Sequence, residues 1–159
     1  MYVNARAIIE KSTPEGVQIL LQTRDKPGQR AQLELPGGQV EAFESLIDTL
    51  RREVREETGL EVVEVEGHET RVVAVGELAR VECIRPFAVY QTLAGPVDSL
   101  GVYFRCTVSG RLASKGDGSK DAWWAPTTQI RSWLAADAER FSWVDRAGLM
   151  FYLGAGAAG

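Results

Sequence analysis

Cysteine and histidine are scarce in this chain of 159 residues, which holds two cysteines and one histidine. Cys83 and Cys106 lie far apart, lack a CxxC spacing and fall in predicted strands. We therefore expect two buried thiols in a reducing cytosol, not a disulfide or a zinc site. The single histidine, His68, lies in a turn-like segment, which disfavours a serine–histidine or cysteine–histidine hydrolase.

Long apolar runs and an excess of basic residues are also missing. No stretch approaches the ~20 apolar residues of a membrane-spanning helix, and residues 1–6 lack the apolar core of a signal peptide. A formal net charge of −4 argues against a general nucleic-acid binder, which presents a basic surface. We expect a cytoplasmic protein that binds neither a membrane nor, stably, a nucleic acid. Its length suits one domain over residues 1–153, followed by a disordered Gly/Ala tail over 154–159.

Two common phosphate-binding loops are absent, since no GxGxxG follows the first strand and no GxxxxGK[ST] occurs. The chain does contain β-rich runs and three helical segments. Strands are predicted within residues 5–10, 17–23, 33–35, 62–75, 84–92, 101–108 and 122–125, and helices over about 45–58, 127–136 and 142–153. This order predicts an α+β fold, an α/β/α sandwich around a mixed β-sheet.

The most informative segment is residues 38–60, where a Gly-Gly turn opens into the long helix. Gly59 stands where a helix prefers a left-handed C-terminal residue. Glu53, Glu56 and Glu57 follow the i, i+3, i+4 spacing and so lie on one side of the helix. Like charges at this spacing repel one another, and a divalent cation would turn that repulsion into ligation.

The direction of these carboxylates favours a metal site. Leu50 and Val54 mark the apolar stripe of the helix, and at about 100° per residue Glu57 falls inside that stripe. Glu53 falls at its edge and Glu56 just beyond. Buried carboxylates are normally paired or metal-bound, because an unpaired one is costly. The alternative is a solvated acidic face held by Glu–Arg pairs, which accounts less well for the inward direction and the preceding turn.

Residues 38–60 resemble the Nudix box, GX5EX7REUXEEXGU, in which U is apolar. Its fixed positions are met by Gly38, Glu44, Arg52, Glu53, Val54, Glu56, Glu57, Gly59 and Leu60. The strand and turn before the box and the segments 17–24 and 124–130 also look like the family, so the resemblance covers most of residues 3–135. It implies a Nudix fold and a divalent-metal-dependent pyrophosphohydrolase. Such an enzyme cleaves a nucleoside diphosphate linked to another moiety, here a nucleoside triphosphate or a nucleotide sugar as the main candidates.

The resemblance also implies roles for single residues. The catalytic metal ligands would be Glu53, Glu56 and Glu57, with the carbonyl of Gly37 as a further ligand. The structural positions would be Gly38, Glu44, Arg52 and Gly59, with Glu44 and Arg52 as an ion pair that braces the turn against the helix. Mg²⁺, with Mn²⁺ as a substitute, would screen the phosphates and acidify the attacking water, so that no protein nucleophile is needed.

Contacts to the substrate are predicted from residue type. Arginine offers bidentate donors to phosphate, and aromatic rings stack on a base; the alternatives are surface charge and core packing. The candidates are Arg6, Arg24, Arg85, Arg105, Phe87, Tyr90, Tyr103 and Trp123. Of these, Arg24, Arg85 and Tyr90 are the predicted substrate contacts.

Some members of the family supply an acidic base from the loop before the last strand. Asp121 is the catalytic candidate here and Asp117 the second choice, with two solvent-facing loop acids as the alternative. Phe43 replaces the Gly common before Glu44, and Gly76 stands where ADP-ribose hydrolases often carry Pro, so the substrate class stays open. The other function considered is a non-catalytic nucleotide-sensing domain, against which the intact box counts. The long strands near residues 84–108 would allow a homodimer.

Overall fold

The computed structural model describes residues 1–113 and 120–154, so Asp117 and the tail beyond Gly154 lie outside the described residues. Ten strands and three α-helices fall within this part of the chain. The strands are β1 (Tyr2–Thr13), β2 (Gly16–Arg24), β3 (Gln32–Glu34), β4 (Gly37–Gln39), β5 (Glu61–Val65), β6 (Val72–Val75), β7 (Arg80–Cys83), β8 (Ala88–Gln91), β9 (Ser99–Ser109) and β10 (Lys120–Pro126). The helices are α1 (Leu46–Thr58), α2 (Thr127–Ala136) and α3 (Trp143–Tyr152).

The main sheet is mixed, as predicted. Its path is β10-β2-β1-β9-β5, with β3 beside β2, β4 beside β1 and β8 beside β9. Only the central pair β1 and β9 is parallel among the pairs described. Both edges of β9 are already paired within the chain, so a dimer formed by strand pairing in this region would have to use the outer edge of β8.

Two apolar cores lie on opposite faces of the sheet, and the alternation of β1 produces them. Ala5, Ala7 and Ile9 pack in the core that includes Ile47, Leu50 and Val54 of α1. Ile8 packs in the other core, with residues of α2 and α3 such as Ile130 and Leu149. Because neighbouring side chains of a strand point to opposite faces, one strand serves both layers, and the α/β/α sandwich is confirmed.

Helix α1 begins and ends where its sequence predicts. The Ser45 hydroxyl accepts a hydrogen bond from the Asp48 N–H at 3.1 Å, which satisfies one free donor of the first turn. Gly59 adopts the left-handed conformation with φ 77°, and its N–H donates to the Arg55 carbonyl. These two caps fix which residues lie in the last turn, where the acidic cluster is found.

Other local predictions need correction. Strand β1 extends beyond 5–10 at both ends. A separate β6–β7 hairpin forms beside the main sheet; within its second strand, only Cys83 was predicted to lie in a strand. Cys106 is buried as expected, but Cys83 at the end of this hairpin is exposed, because the hairpin pairs only with itself. No helix of the described chain is long and apolar enough to cross a membrane.

Candidate active site

The three box carboxylates lie on the last turns of α1 and are buried to different degrees. The Glu53 side chain is 15% exposed and the Glu56 side chain 45% exposed, while Glu57 is partly buried beneath the β4 turn. The helical wheel had placed Glu56 farthest from the apolar stripe, and the structure agrees. Glu53 and Glu57 are therefore partly buried, and Glu56 is open to solvent.

The Gly37–Gly38 segment forms β4, which pairs with Asn4, Ala5 and Arg6 of β1. A Cβ atom on Gly38 would lie 2.5 Å from the carboxylate of Glu53. A Cβ on Gly37 would lie 2.3 Å from the Ala5 carbonyl oxygen, and Gly37 has φ 145°. At Gly37 the close atom is backbone, so only glycine fits, while a side chain at Gly38 would displace the Glu53 carboxylate; the lack of side chains lets α1 bring its carboxylates against the turn.

Glu57 is bound to the turn through one oxygen. Its Oε2 accepts the backbone N–H of Gly37 at 3.0 Å and the Nε2 amide of Gln22 at 2.9 Å. Burial nevertheless raises the pKa of Glu57 from 4.5 to about 8, against the lowering effect of these two donors. At neutral pH the carboxyl therefore holds its proton unless a cation binds. A bound cation would stabilise the charged form of Glu57.

Glu44 and Arg52 form the ion pair that the box implies. Arg52 Nε and Nη2 donate to the two Glu44 oxygens at 2.8 and 2.9 Å. Arg52 also donates to Glu53 Oε1 at 2.7 Å and to the Gln39 carbonyl at 3.2 Å. The guanidinium lowers the pKa of Glu44 to about 2, helped by the Thr49 hydroxyl. The pair thus links the loop before α1, the strand β4 and one box acid.

The donor set has the chemistry of a Mg²⁺ site. Its oxygens are carboxylates, which this hard cation prefers, and the raised pKa of Glu57 indicates a place where a cation would be stabilising. As the side chains lie, Glu53 faces Arg52 and Glu57 faces Gln22, and no group of three or more acidic, histidine or cysteine side chains in residues 1–113 and 120–154 is close enough to hold an ion. The Gly37 carbonyl, expected as a metal ligand, accepts a hydrogen bond from Arg6 Nη1 at 2.7 Å. The carboxylates fit the metal, and the carbonyl is already engaged.

A cleft of about 760 Å³ opens beside Glu57. It runs from the Gly37–Gly38 turn, across the β1 and β8 face of the sheet, to the first turn of α3. Arg24 and Lys26 line one part of it, and Tyr2, Asn4 and Trp143 another. This volume accommodates a nucleotide-sized ligand.

The structure brings some of the predicted substrate residues to this cleft. Arg24 lines it, with its side chain 37% exposed and Nη1 3.8 Å from Glu34 Oε2. Tyr90 also lines it but is only 8% exposed, and its hydroxyl accepts the Asn4 amide at 3.1 Å. Tyr90 therefore offers its polar edge to the cleft and not an open ring face.

Other predicted residues lie elsewhere. Arg85 is an exposed side chain that pairs with Glu69 at 3.3 Å and is not part of the cleft lining described. Asp121 is exposed near the start of β10 and is likewise not among the described lining residues. Their predicted roles receive no support from this placement.

The remaining candidates have structural partners. Tyr103 is 1% exposed in the core, Phe87 packs edge-on against Phe151 at 5.6 Å between ring centroids, and Trp123 packs against the same core. Arg105 forms a bidentate pair with Glu10 at 2.8 and 3.1 Å.

Sequence reasoning missed three residues of the site. Trp143, 45% exposed at the mouth of the cleft, was predicted only as part of the helix over 142–153. Asp145 follows in the same turn, fully buried and paired with Arg6. Gln22, in the middle of a predicted strand, carries no local signal for its contact with Glu57.

Comparisons with known proteins show the family through a family model and the fold through solved structures. A family model described as NUDIX domain matches residues 1–145. Among solved structures, the chain is similar to the Escherichia coli ORF135 protein, at 22% identity and TM-score 0.64 over 99% of this chain and 92% of that one. It is similar to a NUDIX hydrolase from Nitrosomonas europaea, at 21% identity and TM-score 0.67 over 98% and 89%. It is also similar to a Jonesia denitrificans protein named as a candidate asymmetric diadenosine tetraphosphate hydrolase, at 15% identity and TM-score 0.69 over 96% and 92%. No curated protein matches the chain.

Proposed function

The chain belongs to the Nudix hydrolase family of pyrophosphohydrolases, and we propose that it hydrolyses a nucleoside diphosphate linked to another moiety in a reaction that requires Mg²⁺. One observation carries this proposal. The covered box acid, Glu57, and the Gly37–Gly38 turn stand at one end of a nucleotide-sized cleft that also contains cationic and aromatic side chains. The cleft thus offers a carboxylate for the metal, cationic side chains for the phosphates and aromatic rings for the base.

The phosphate end of this path is cationic. Arg24 and Lys26 line the cleft near Glu34 and the Gly37 turn. The Arg24 guanidinium stays partly exposed, with its nearest described acid contact at 3.8 Å, so it keeps donors for phosphate oxygens. A guanidinium binds phosphate through paired donors, and we assign Arg24 this role.

The base end is aromatic and amide-rich. Trp143 presents a half-exposed indole at the start of α3, and Tyr2 presents an exposed ring at the start of β1. Flat aromatic faces stack on nucleobases. Asn4 lies between Tyr2 and Arg6 on the cleft face of β1. There its amide can form hydrogen bonds with polar edges of the ligand. We assign base or sugar recognition to this group.

At the reacting end, the chain's residues bind and orient. The proposed ligands are Glu53, Glu56 and Glu57, which would hold Mg²⁺ after Glu57 gives up its proton. The bound cation would screen the phosphates and lower the pKa of the attacking water. Arg52 holds Glu53 and Glu44 in place, and the Gly37 N–H holds Glu57. Catalysis then depends on positioning and charge stabilisation.

The test is a substrate panel with Mg²⁺, read by ³¹P NMR and product identification. Nucleoside triphosphates, nucleotide sugars and dinucleoside polyphosphates form the panel, and Glu57→Gln is the matched inactive variant. Release of a nucleoside monophosphate from at least one class, abolished by EDTA and by Glu57→Gln, would support the proposal. Nucleotide binding without turnover on any class would instead favour a nucleotide-sensing domain.

A further inference from the structure

Arg6 lies on the sheet face opposite to α1, yet it contacts the Gly37–Gly38 turn. The alternation of β1 sends Tyr2, Asn4 and Arg6 to the cleft face and Ala5 and Ala7 to the α1 core. Arg6 is 7% exposed, so its charge lies in the floor of the cleft.

Two directed hydrogen bonds fix the Arg6 guanidinium. Nη1 donates to the Gly37 carbonyl at 2.7 Å, and Nη2 donates to Asp145 Oδ2 at 3.1 Å. Asp145 is fully buried in the first turn of α3, and its Oδ2 also accepts the Ser142 hydroxyl at 2.6 Å. Since Ser142 is the N-cap of α3, the position of Arg6 is tied to the start of that helix.

The Gly37 residue is bound in two directions. Its carbonyl accepts from Arg6, and its N–H donates to Glu57 Oε2 at 3.0 Å. The close approach of β1 leaves no room for a side chain at Gly37. Two bonds from β1 hold this residue: Arg6 binds the carbonyl of the 37–38 peptide, and the Ala7 N–H binds the Pro36 carbonyl at 2.8 Å in the 36–37 peptide, which carries the Gly37 N–H. Glu57 accepts that N–H from the α1 side of the sheet.

We propose that Arg6, held by Asp145, is a positioning residue that orients Gly37 so that its N–H keeps Glu57 in place for metal binding. This links the first turn of α3, where Trp143 meets the cleft, to the metal-binding end of α1. The inference rests on the proposed function, because it assumes that Glu57 binds the cation.

Two other roles for Arg6 predict different results. A guanidinium that only contacted substrate phosphate would change nucleotide binding and leave metal affinity in the absence of nucleotide unchanged. A guanidinium that only competed with the cation for the Gly37 carbonyl would, when weakened, let the metal bind more tightly. Positioning predicts that disturbing Arg6 weakens metal binding even where the positive charge is kept.

The experiment measures Mn²⁺ affinity without nucleotide, by electron paramagnetic resonance of the free ion, and then steady-state kinetics. Arg6→Lys keeps the charge but loses the planar fork that reaches both partners. Asp145→Asn keeps the shape of the partner but removes its charge. Each variant should weaken Mn²⁺ binding about tenfold, as expected when a residue that orients a metal ligand is lost, and should lower kcat with KM changed less than twofold.

Arg105→Lys is the matched control. Arg105 also forms a two-bond pair with a carboxylate, Glu10, and has no described contact with the turn. It should leave Mn²⁺ affinity unchanged. The double variant of Arg6 and Asp145 should bind Mn²⁺ no more weakly than the worse single variant, because both act through one contact.

Unchanged or tighter Mn²⁺ binding in both single variants would overturn the proposal, and so would loss of folding in both, judged by circular dichroism, since the pair would then serve stability alone. Failure of the proposed function is a separate result. In that case the wild-type protein itself would bind no Mn²⁺ and would hydrolyse no member of the panel.

Discussion

Replacing Glu57 by Gln should make the metal-free protein more stable at high pH while abolishing its activity. The substitution keeps the size of the side chain, and its amide oxygen can still accept from Gly37 and Gln22. What it removes is a buried acid whose pKa is raised from 4.5 to about 8 by desolvation. The two effects have opposite signs because the same burial that costs stability prepares the site for a cation.

The magnitude follows from the proton balance. Below pH 4.5 the Glu57 carboxyl is protonated in both the folded and the unfolded chain, so its pKa shift has no effect on stability. Between pH 4.5 and about 8 the unfolded chain has lost the proton and the folded chain keeps it. The free energy of unfolding therefore falls as pH rises, by at most about 1.4 kcal/mol per pH unit. Water in the open cleft reduces the total, and we expect roughly 2 kcal/mol across the window.

Urea unfolding at pH 5, 6.5 and 8, with EDTA, measures this difference. The free energy of unfolding of the variant should increase relative to that of wild type at each higher pH. Added Mg²⁺ at pH 8 should stabilise wild type and not the variant, and kcat of the variant should fall about a hundredfold or more. Glu56→Gln, at the half-exposed neighbour, should also lower turnover. Parallel pH profiles for wild type and Glu57→Gln would refute the reasoning.

Four further substitutions test the turn, the brace, the loop and the base. Gly37→Ala should destabilise by about 2–4 kcal/mol, measured by urea midpoint, because its Cβ would lie 2.3 Å from a β1 carbonyl oxygen. Arg52→Ala should cost about 1–2 kcal/mol and reduce activity, since it leaves Glu44 without its two-bond partner; an unchanged melting temperature and rate would contradict the brace. Phe43→Gly should gain about 1 kcal/mol in chemical unfolding, because Phe43 is fully exposed at φ 63°. If Asp121, exposed on β10, is the base, Asp121→Asn should lower kcat more than it raises KM and flatten the acidic limb of the pH–rate profile. An unaltered acidic limb would show that another group accepts the proton.

Helix α1 shows how much of the site a sequence can carry. Its capping residues, its apolar stripe and the exposure of Glu56 all depend on positions within a few residues along the chain. The Ser45 cap spans three residues and the Glu44–Arg52 pair spans eight. Fixed helical geometry turns short spacings into positions, so the bounds of α1 and its apolar stripe followed from the sequence, whereas the Glu44–Arg52 pair was implied by the resemblance to the Nudix box.

The other half of the site depends on which strands are neighbours. Arg6 and Asp145 are 139 residues apart in sequence, and they meet because β1 is central and α3 packs on the face to which Arg6 points. No local pattern fixes that packing, so Arg6 was predicted only as one of several phosphate-binding candidates. Cys83 illustrates the same limit, since its exposure follows from a hairpin that stands apart from the main sheet.

Two arginines thus contact the Gly37–Gly38 turn and the residue after it, and only one of them belongs to a sequence motif. Arg52 binds it from the α1 side through Gln39 and Glu53, and it is part of the box. Arg6 binds it from the α3 side through Gly37, and its partner Asp145 lies outside the box. If Asp145 positions Arg6 as proposed, a chain that lost Asp145 would keep every box position and still disturb the Arg6 contact with Gly37. On that proposal, an intact box reports on the carboxylates of α1 and their loop, and the competence of the whole site would depend as well on the first turn of α3.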